Sequence, residues 1–452
     1  MLKLEAYQEE AARFCAKVPA SALLDEPGLG KTPASVRWLD LTGAAHAYIL
    51  TTASHVYSYA QEVRDWQGIP RRVAVDDPTA DVCVTTHGRV ARWAMDELPR
   101  KDALIVDEAH YLKEPTSQRT RAVYGQDISA KQGLVAKIDR NVLLMSGSIT
   151  PNYASELWTH FHRLWPHLIR TGQGRAMTQI QFAQRYTAGR IDSRTGRWVP
   201  RYNRRVDELK KLLAGVSLGR THEQVGNQMP PARIVNMPLA ADLEDYLSRH
   251  KSVATELRQE IQAIGKFVLA GRAAGKPQPQ ILADALNEAD IQTATLRRMM
   301  ANAKAEDAAR YVTDLLNGGV TKVLVFGVHS EALGKLEAKL SKFGTATVVG
   351  STPKKRRAEE AKRFQDPAGP RVFIGNVQAA GEAITLTASN RLVMLESTWS
   401  PKDDMQVIAR VRRYGQNRTV QADYLTIPCA IEELVVGVNR RKARGNKALW
   451  GR

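Results

Sequence analysis

Short apolar runs, each closed by a turn or an acidic pair, alternate with segments of helical spacing through the first 165 residues of the chain. The runs SALLDE, AYILTT, DVCVTT, ALIVDE and VLLMSG read as strands, and their alternation with helices is that of a parallel α/β sheet. From about residue 166 to 304 the alternation fades. There RYTAGRIDSRTGRWVPRYNRR is basic, turn-rich and interleaved with aromatics, ADLEDYLSRHKSVATELRQEIQAIGKFVLAGRAAG has the spacing of a long helix, and AGKPQPQ interrupts as a loop. Strand and helix resume from about residue 305 with KVLVFG, TATVVG, RVFIGN, RLVMLES and VQADYLTI. The pattern predicts an α/β protein with two parallel-sheet lobes, residues 1–165 and 305–430. A mainly helical insertion, 166–304, separates them, and a basic tail, 431–452, follows. No internal repeat of solenoid period is present.

A chain of 452 residues exceeds one ordinary core and fits two to three domains. Its 43% hydrophobic and 25% charged residues are those of a soluble globular protein. MLKLEAYQEEAARF lacks a charged-then-apolar secretion pattern and no apolar run approaches bilayer length, so an intracellular location is expected. That means cytoplasm or nucleoid if the source is bacterial or viral, nucleus if eukaryotic. Cys15, Cys83 and Cys429 are too scattered for a disulfide framework or zinc spacing and are expected to be reduced, mostly buried thiols. Charge changes the picture more: 65 basic against 47 acidic side chains leave +18 and a pI near 9.8. Such an excess favours a polyanionic partner, nucleic acid before membrane, because no basic amphipathic segment stands out.

The first candidate chemistry is LLDEPGLGKTPASV, residues 23–36. Asp25 stands where the strict phosphate-loop pattern has its first glycine, leaving the core Gly28-x-Gly30-Lys31-Thr32. Glycines let successive N–H groups curl around an anion, and a helix opening behind them aims its positive end at phosphates. Lys31 would reach the terminal phosphates, Thr32 would hold Mg²⁺, and Pro33 suits a first helical turn. The alternative is a strand-to-helix turn that uses glycine for positive φ. The second candidate is Asp107-Glu108-Ala109-His110, at the C-terminal end of the ALIV strand where open α/β sheets present reactive groups. Asp107 would join the Mg²⁺ shell and Glu108 would polarise the attacking water. An acidic loop is the bland alternative, but the two motifs in this order favour a nucleotide site.

With these residues the sequence resembles the superfamily 2 helicases, and within them the Swi2/Snf2 family of double-stranded-DNA translocases. LEAYQEEAARF resembles that family's adenine-reading segment, with Gln8 as its glutamine, and AYILTTASHVYSYAQEVRDW and DVCVTTHGRV resemble its next two motifs. LLMSGSITPN is similar to the element that couples the lobes, with Ser146, Gly147 and Ser148 at its centre. In the second lobe VLVFGVHSEAL, GSTPKKRRAEEAKRFQ, GNVQAAGEAITLTASNRLVMLESTWSP and QVIARVRRYGQNRTV resemble the remaining motifs in order. The phrases KVLVFGVHSEAL and ELKKLLAGVSLGRT resemble most the annealing-helicase branch. The sequence departs from the family pattern at Pro27, Ser148, Gly219, Arg412, and Glu382 with Ala383.

The resemblance implies two RecA-like lobes, ATP and Mg²⁺ as cofactors, and DNA, double-stranded or branched, as partner. It places Gln8, Gly28, Gly30, Lys31, Thr32 and Gly381 on the nucleotide, and assigns coupling to His110, Ser146, Gly147, Ser148 and Gln406. Arg410 and Arg413, three apart and so expected on one helical face, would stabilise charge on the transferred phosphoryl, with Arg413 as the finger. Outside the cleft, Lys354 to Arg357 and the tail NRRKARGNKALWGR are candidate phosphate contacts, the tail also as a brace. Trp198 and Tyr202 are expected to pack the insertion, and His329 to be structural. The implied activity is DNA-dependent ATP hydrolysis coupled to translocation, with remodelling or annealing as its outcome. A strand-separating DNA or RNA helicase and a nucleotide-gated clamp with negligible turnover remain the alternatives.

Overall fold

Strands buried on both faces read as near-continuous apolar runs, because each face meets its own layer of helices. The expected runs meet that condition in a computed structural model of the chain. The structure describes residues 3–53, 55–125, 133–147, 149–150, 152–192, 196–226, 232–240, 243–249, 293–380, 384–398, 401–413, 416–428 and a few single positions between and after them. In chain order the first strands are β1 (Ala20–Leu23), β2 (Ala47–Thr51), β3 (Val73–Val75), β4 (Val82–Thr86), β5 (Lys101–Val106) and β6 (Ile138–Met145). They are followed by β7 (Thr187–Ile191), β8 (Trp198–Asn203) and β9 (Ser217–Leu218). Seven of them form one parallel sheet in the order β3-β4-β2-β5-β6-β1-β9, while β7 and β8 pair antiparallel as a separate hairpin.

Alternation along each strand feeds two cores. Tyr48 and Leu50 of β2 and Leu104 and Val106 of β5 face a layer containing Phe161, Phe182, Tyr186, Leu209 and Leu213. Ile49 and Ile105 face the other layer, with Trp38, Leu39, Tyr59 and Val63. Burial of each such aliphatic side chain contributes about 1.5–3 kcal/mol. The first layer carries residues from the segment expected as an insertion, and the chain divides elsewhere: one unit ends at Gln228 and the next begins at Met229. Ile169, Met177, Phe182, Tyr186, Leu209, Leu213 and Val216 thus pack with the first sheet, to which β9 adds an edge strand. The expected long helix from 241 appears over Leu243–Arg249, beyond which most residues to 292 lie outside the described set, as does the AGKPQPQ loop apart from Ala274.

In the second unit β10 (Ala232–Pro238), β11 (Val323–Gly327), β12 (Thr345–Val348), β13 (Val372–Asn376), β14 (Arg391–Met394) and β15 (Val420–Thr426) form a parallel sheet in the order β10-β15-β14-β11-β13-β12. Leu324, Phe326 and Phe373 pack on one face with Phe364, Ile408 and Val411. Val323, Val325 and Ile374 pack on the other with Val312, Leu333 and Leu336. All ten strands expected from the sequence are present, in two parallel sheets each covered by helical layers as expected. Cys15 and Cys83 are free and buried, and burial pushes each thiol up to about 12. Cys429 and the tail from 433 lie outside the described residues. Among the described residues no helix is long and apolar enough to cross a membrane.

Candidate functional site

The loop after β1 runs into helix α2 (Lys31–Leu41), with α1 (Ala6–Cys15) packed beside it. Gly28 and Gly30 take φ of +93° and +71°, left-handed values that a side chain disfavours, so glycine is required by conformation at both. A Cβ at Gly30 would stand 2.2 Å from Nε2 of Gln8, so the Gln8 amide would have to move aside. Gln8 is held in turn: its Nε2 donates to Leu29 O at 3.2 Å and its Oε1 accepts from Glu5 N at 3.0 Å. The Lys31 ammonium donates to Asp25 O at 2.7 Å and Glu26 O at 3.2 Å, so it lies along the inner rim of the loop. Thr32 lies in the first turn of α2, and its carbonyl accepts from Ser35 Oγ, which hydrogen-bonds Tyr59 Oη at 2.6 Å.

Asp25 is the structural reason this loop departs from the strict pattern. Its buried carboxylate accepts from Arg220 N at 2.9 Å, Arg220 Nε at 3.2 Å and Arg220 Nη2 at 2.7 Å. Glu26 N donates to Arg220 O, and His222 N donates to Glu26 Oε2 at 2.9 Å. The segment after β9 therefore clamps the loop from outside. Gly219 begins that clamp, where a Cβ would come within 3.1 Å of Leu24 Cβ and Leu24 would have to give by a few tenths of an ångström.

Asp107 and Glu108 follow β5. The Asp107 carboxylate accepts from Thr51 Oγ1 at 2.8 Å and lies 3.4 Å from His55 Nδ1. His55 stands at the start of α3 (Val56–Trp66) and also reaches Glu62 at 3.6 Å. Burial acts to lower the His55 pKa, but the two carboxylates outweigh it and lift it to about 9. Glu108 has φ +49°, a strained backbone position for a non-glycine residue, which turns its carboxylate to His110 Nδ1 at 3.1 Å. The same His110 nitrogen is 3.4 Å from Ser146 Oγ, and Ser146 is joined to β1 by donating its N–H to Leu23 O. Gly147 passes so close to Pro27 that a Cβ would meet its Cγ at 2.9 Å. Within the first unit the structure thus brings together Gln8, Gly28, Gly30, Lys31, Thr32, Asp107, Glu108, His110, Ser146 and Gly147. Ser148 lies outside the described residues.

In the second unit the helix Pro401–Val411 carries Gln406 and Arg410, both partly exposed. Arg413 is not on that helix. The helix ends at Val411, and the chain turns toward β15, with Gln416 N donating to Arg413 O and the buried Gln416 amide donating to Thr387 O and Ser389 O. The expectation that Arg410 and Arg413 share a helical face is corrected accordingly. Arg413 Nη1 donates to Thr385 Oγ1 at 3.1 Å. Gly381, Glu382, Ala383 and Gly415 lie outside the described residues, as do the side chains of Lys354 and Lys355. His329 Nδ1 is 2.6 Å from the buried Glu396, whose carboxylate also accepts from Val328 N and His329 N. Burial opposes the Glu396 charge, but these bonds prevail and hold its carboxyl below the usual range.

Sequence reasoning did not single out Thr51 and His55, which orient Asp107, or Arg220 and His222, which brace the loop. Thr51 and His55 lie inside AYILTTASHVYSYAQEVRDW, so their motif was legible although their partners were not. Arg220 and His222 lie almost two hundred residues from Asp25, and no local pattern links them.

A family model described as the helicase conserved C-terminal domain matches residues 307–415. The chain is 26% identical over 469 aligned residues to the Bos taurus protein named DNA annealing helicase and endonuclease ZRANB3, covering 98% of this chain and 40% of that protein. It is 25% identical over 466 residues to the Caenorhabditis elegans SWI/SNF-related matrix-associated actin-dependent regulator of chromatin subfamily A-like protein 1 homolog, covering 97% and 61% respectively. The solved Sulfolobus solfataricus SWI2/SNF2 ATPase core in complex with dsDNA aligns over 99% of this chain and 97% of that chain, with 17% identity and a TM-score of 0.42. The chain thus spans less than half the length of its ZRANB3 relative. Phosphate-loop and acidic motifs on the first sheet, a match to the helicase conserved C-terminal domain on the second, and relatives aligned almost end to end make one consistent set, and the chain is similar to the Snf2-type, superfamily 2 helicase-like proteins.

Proposed function

We propose that the chain is a DNA-dependent ATPase of Snf2 type that couples ATP hydrolysis to translocation on double-stranded or branched DNA, with remodelling or annealing as the result. The observation that carries this reading is the line of contacts from Glu108 through His110 to Ser146 and β1, which ties a water-activating carboxylate to the nucleotide loop. The residues suit a nucleotide: Gly28 and Gly30 turn the loop at positive φ, and the Gln8 amide packs directly against Gly30. Lys31 would bind the terminal phosphates, and Thr32 with Asp107 would hold Mg²⁺, which when bound neutralises phosphate charge. Thr51 and His55 orient the Asp107 carboxylate for that task. Glu108 would orient the attacking water and take its proton, and its 3.1 Å approach to His110 would link it to the loop holding Ser146. Arg410 and Arg413 would supply positive charge as the phosphoryl leaves, with Gln406 in the coupling set. Gly381 would join the nucleotide site, and the protein would act inside the cell.

The DNA partner is supported by the +18 net charge and by the relatives whose names state work on DNA or chromatin. Steady-state ATPase rates with no nucleic acid, duplex DNA, single-stranded DNA and RNA test the reading. Stimulation by duplex or branched DNA above the other three is expected. Stimulation by RNA or single strands alone points to the helicase alternative, and equal negligible turnover in all four to the clamp.

A further inference from the structure

The β7–β8 hairpin and its flanks are rich in arginine, of which Arg185 and Arg205 pair with Glu208. Between residues 185 and 205 the chain places seven arginines against a single acidic residue, Asp192. The hairpin is only two strands wide, and Thr187 is its one buried position, whereas an isolated pair of strands is marginal in water. One face is accounted for. Trp198 Nε1 donates to Thr187 Oγ1 at 3.0 Å, the Trp198 ring covers Gly189, and Asn203 Oδ1 accepts from Ala154 N at 2.8 Å, so this face roots the hairpin on the first unit.

The opposite face is set by the register. Arg190 pairs with Val199 and Ala188 with Tyr202, and a bulge between Ala188 and Gly189 inserts Arg201 into β8. The bulge brings Tyr202 onto the face of Arg190 instead of that of Trp198. The expectation that Trp198 and Tyr202 both pack the insertion therefore holds for Trp198 only, because Tyr202 is 58% exposed. Arg197 and Arg204 are exposed at the two ends of β8, and Arg205 follows with its side chain 55% exposed.

We propose that this face of the β7–β8 hairpin is a DNA-contacting surface separate from the nucleotide site, with Arg190, Arg197 and Arg201 on backbone phosphates and Tyr202 against the sugar–phosphate chain. It rests on the DNA-dependent reading above. Charge complementarity selects the occupant: clustered arginines match a polyanion of regularly spaced phosphates, and an exposed tyrosine among them adds a flat contact and a hydroxyl donor. Such contacts carry no base readout, so the surface serves a protein that must travel along any sequence.

The test is binding of a labelled duplex by the full chain without nucleotide, over a series of salt concentrations. The Arg190→Glu/Arg197→Glu/Arg201→Glu protein is compared with a control carrying the same charge change at Arg72, Arg100 and Arg310, all exposed elsewhere. Tyr202→Ala serves as a second variant that leaves charge untouched, and thermal melts check folding. The hairpin triple variant is expected to lose about tenfold or more in affinity relative to the control, with a shallower dependence on salt, and Tyr202→Ala to lose a few-fold. Equal affinities of hairpin and control variants, with wild type still binding and stimulated by duplex, overturn the hairpin surface and leave the motor reading standing. They would also direct the search to an acidic protein partner. Failure of the wild-type chain to bind any DNA overturns both.

Discussion

Glu108 sits in a backbone conformation that few residues tolerate, and that strain aims its carboxylate at His110. A glutamine there keeps the shape and removes the carboxylate proposed as the base. Glu108→Gln is therefore expected to bind ATP nearly as wild type and to lose at least about 100-fold in kcat. Nucleotide titration with single-turnover rates checks it, and near-normal hydrolysis would remove Glu108 from the mechanism. Arg413 calls for a different signature. An interaction made chiefly in the transition state strengthens no ground-state binding, so Arg413→Ala should lower kcat by about 1,000-fold or more while leaving ATP affinity almost unchanged. Loss of affinity alone would make it an ordinary phosphate ligand. Its position off the helix, hydrogen-bonded to Thr385, leaves its side chain set by a turn instead of by helical spacing.

At the scale of elements, the nucleotide loop is built from three pieces remote in sequence: the end of β1, the N-terminus of α2, and the clamp after β9. Asp25 and Arg220 join the first to the last with both side chains mostly out of water. Removing Asp25 leaves the Arg220 guanidinium only the exposed Glu10 carboxylate at 3.1 Å, so Asp25→Ala is expected to destabilise the first unit by up to about 3–5 kcal/mol. Replacing both with apolar side chains should restore much of that loss, because the desolvation cost goes with the pair. Urea midpoints of Asp25→Ala, Arg220→Leu and the double variant measure the coupling. Simple additivity of the two single effects would show that the pair does not act as a unit.

At the scale of the whole molecule, buried histidines set a limit in acid. Burial pushes His160 down to about 3 while its Nδ1 is hydrogen-bonded to Tyr124 Oη at 2.9 Å. The unfolded chain takes up this proton near pH 6.5 and the folded one does not, so the contribution is fully present above 6.5 and is lost as pH falls toward 3. The slope is about 1.4 kcal/mol per pH unit for one such group. His160→Gln, which keeps a hydrogen-bonding side chain, should flatten the fall of the urea midpoint between pH 6.5 and 4.5. Motion is the other whole-molecule property. A motor that grips the backbone of an intact duplex should displace a triplex-forming third strand and separate a plain tailed duplex poorly. Efficient unwinding with the triplex untouched would replace the translocase by the helicase.

The order of strands was legible because a parallel sheet covered on both faces demands continuous apolar runs, and ten such runs are written plainly in the chain. The phosphate loop and Asp107-Glu108 were legible because glycine, lysine and acidic residues at a strand end are local patterns. Partners were not. The contact of Asp25 with Arg220, of Asp107 with His55, and of Glu108 with Ser146 through His110 exists only once separate strands lie side by side. The segment from 166 was set apart by its loss of periodicity, yet Phe182, Tyr186, Leu209 and Leu213 fill the face of the first sheet. Periodicity reports which side of an element is apolar, and only packing decides what covers it. A bulge of one residue turns Tyr202 outward and leaves Trp198 inward, a choice that hydrogen-bond register makes and composition cannot.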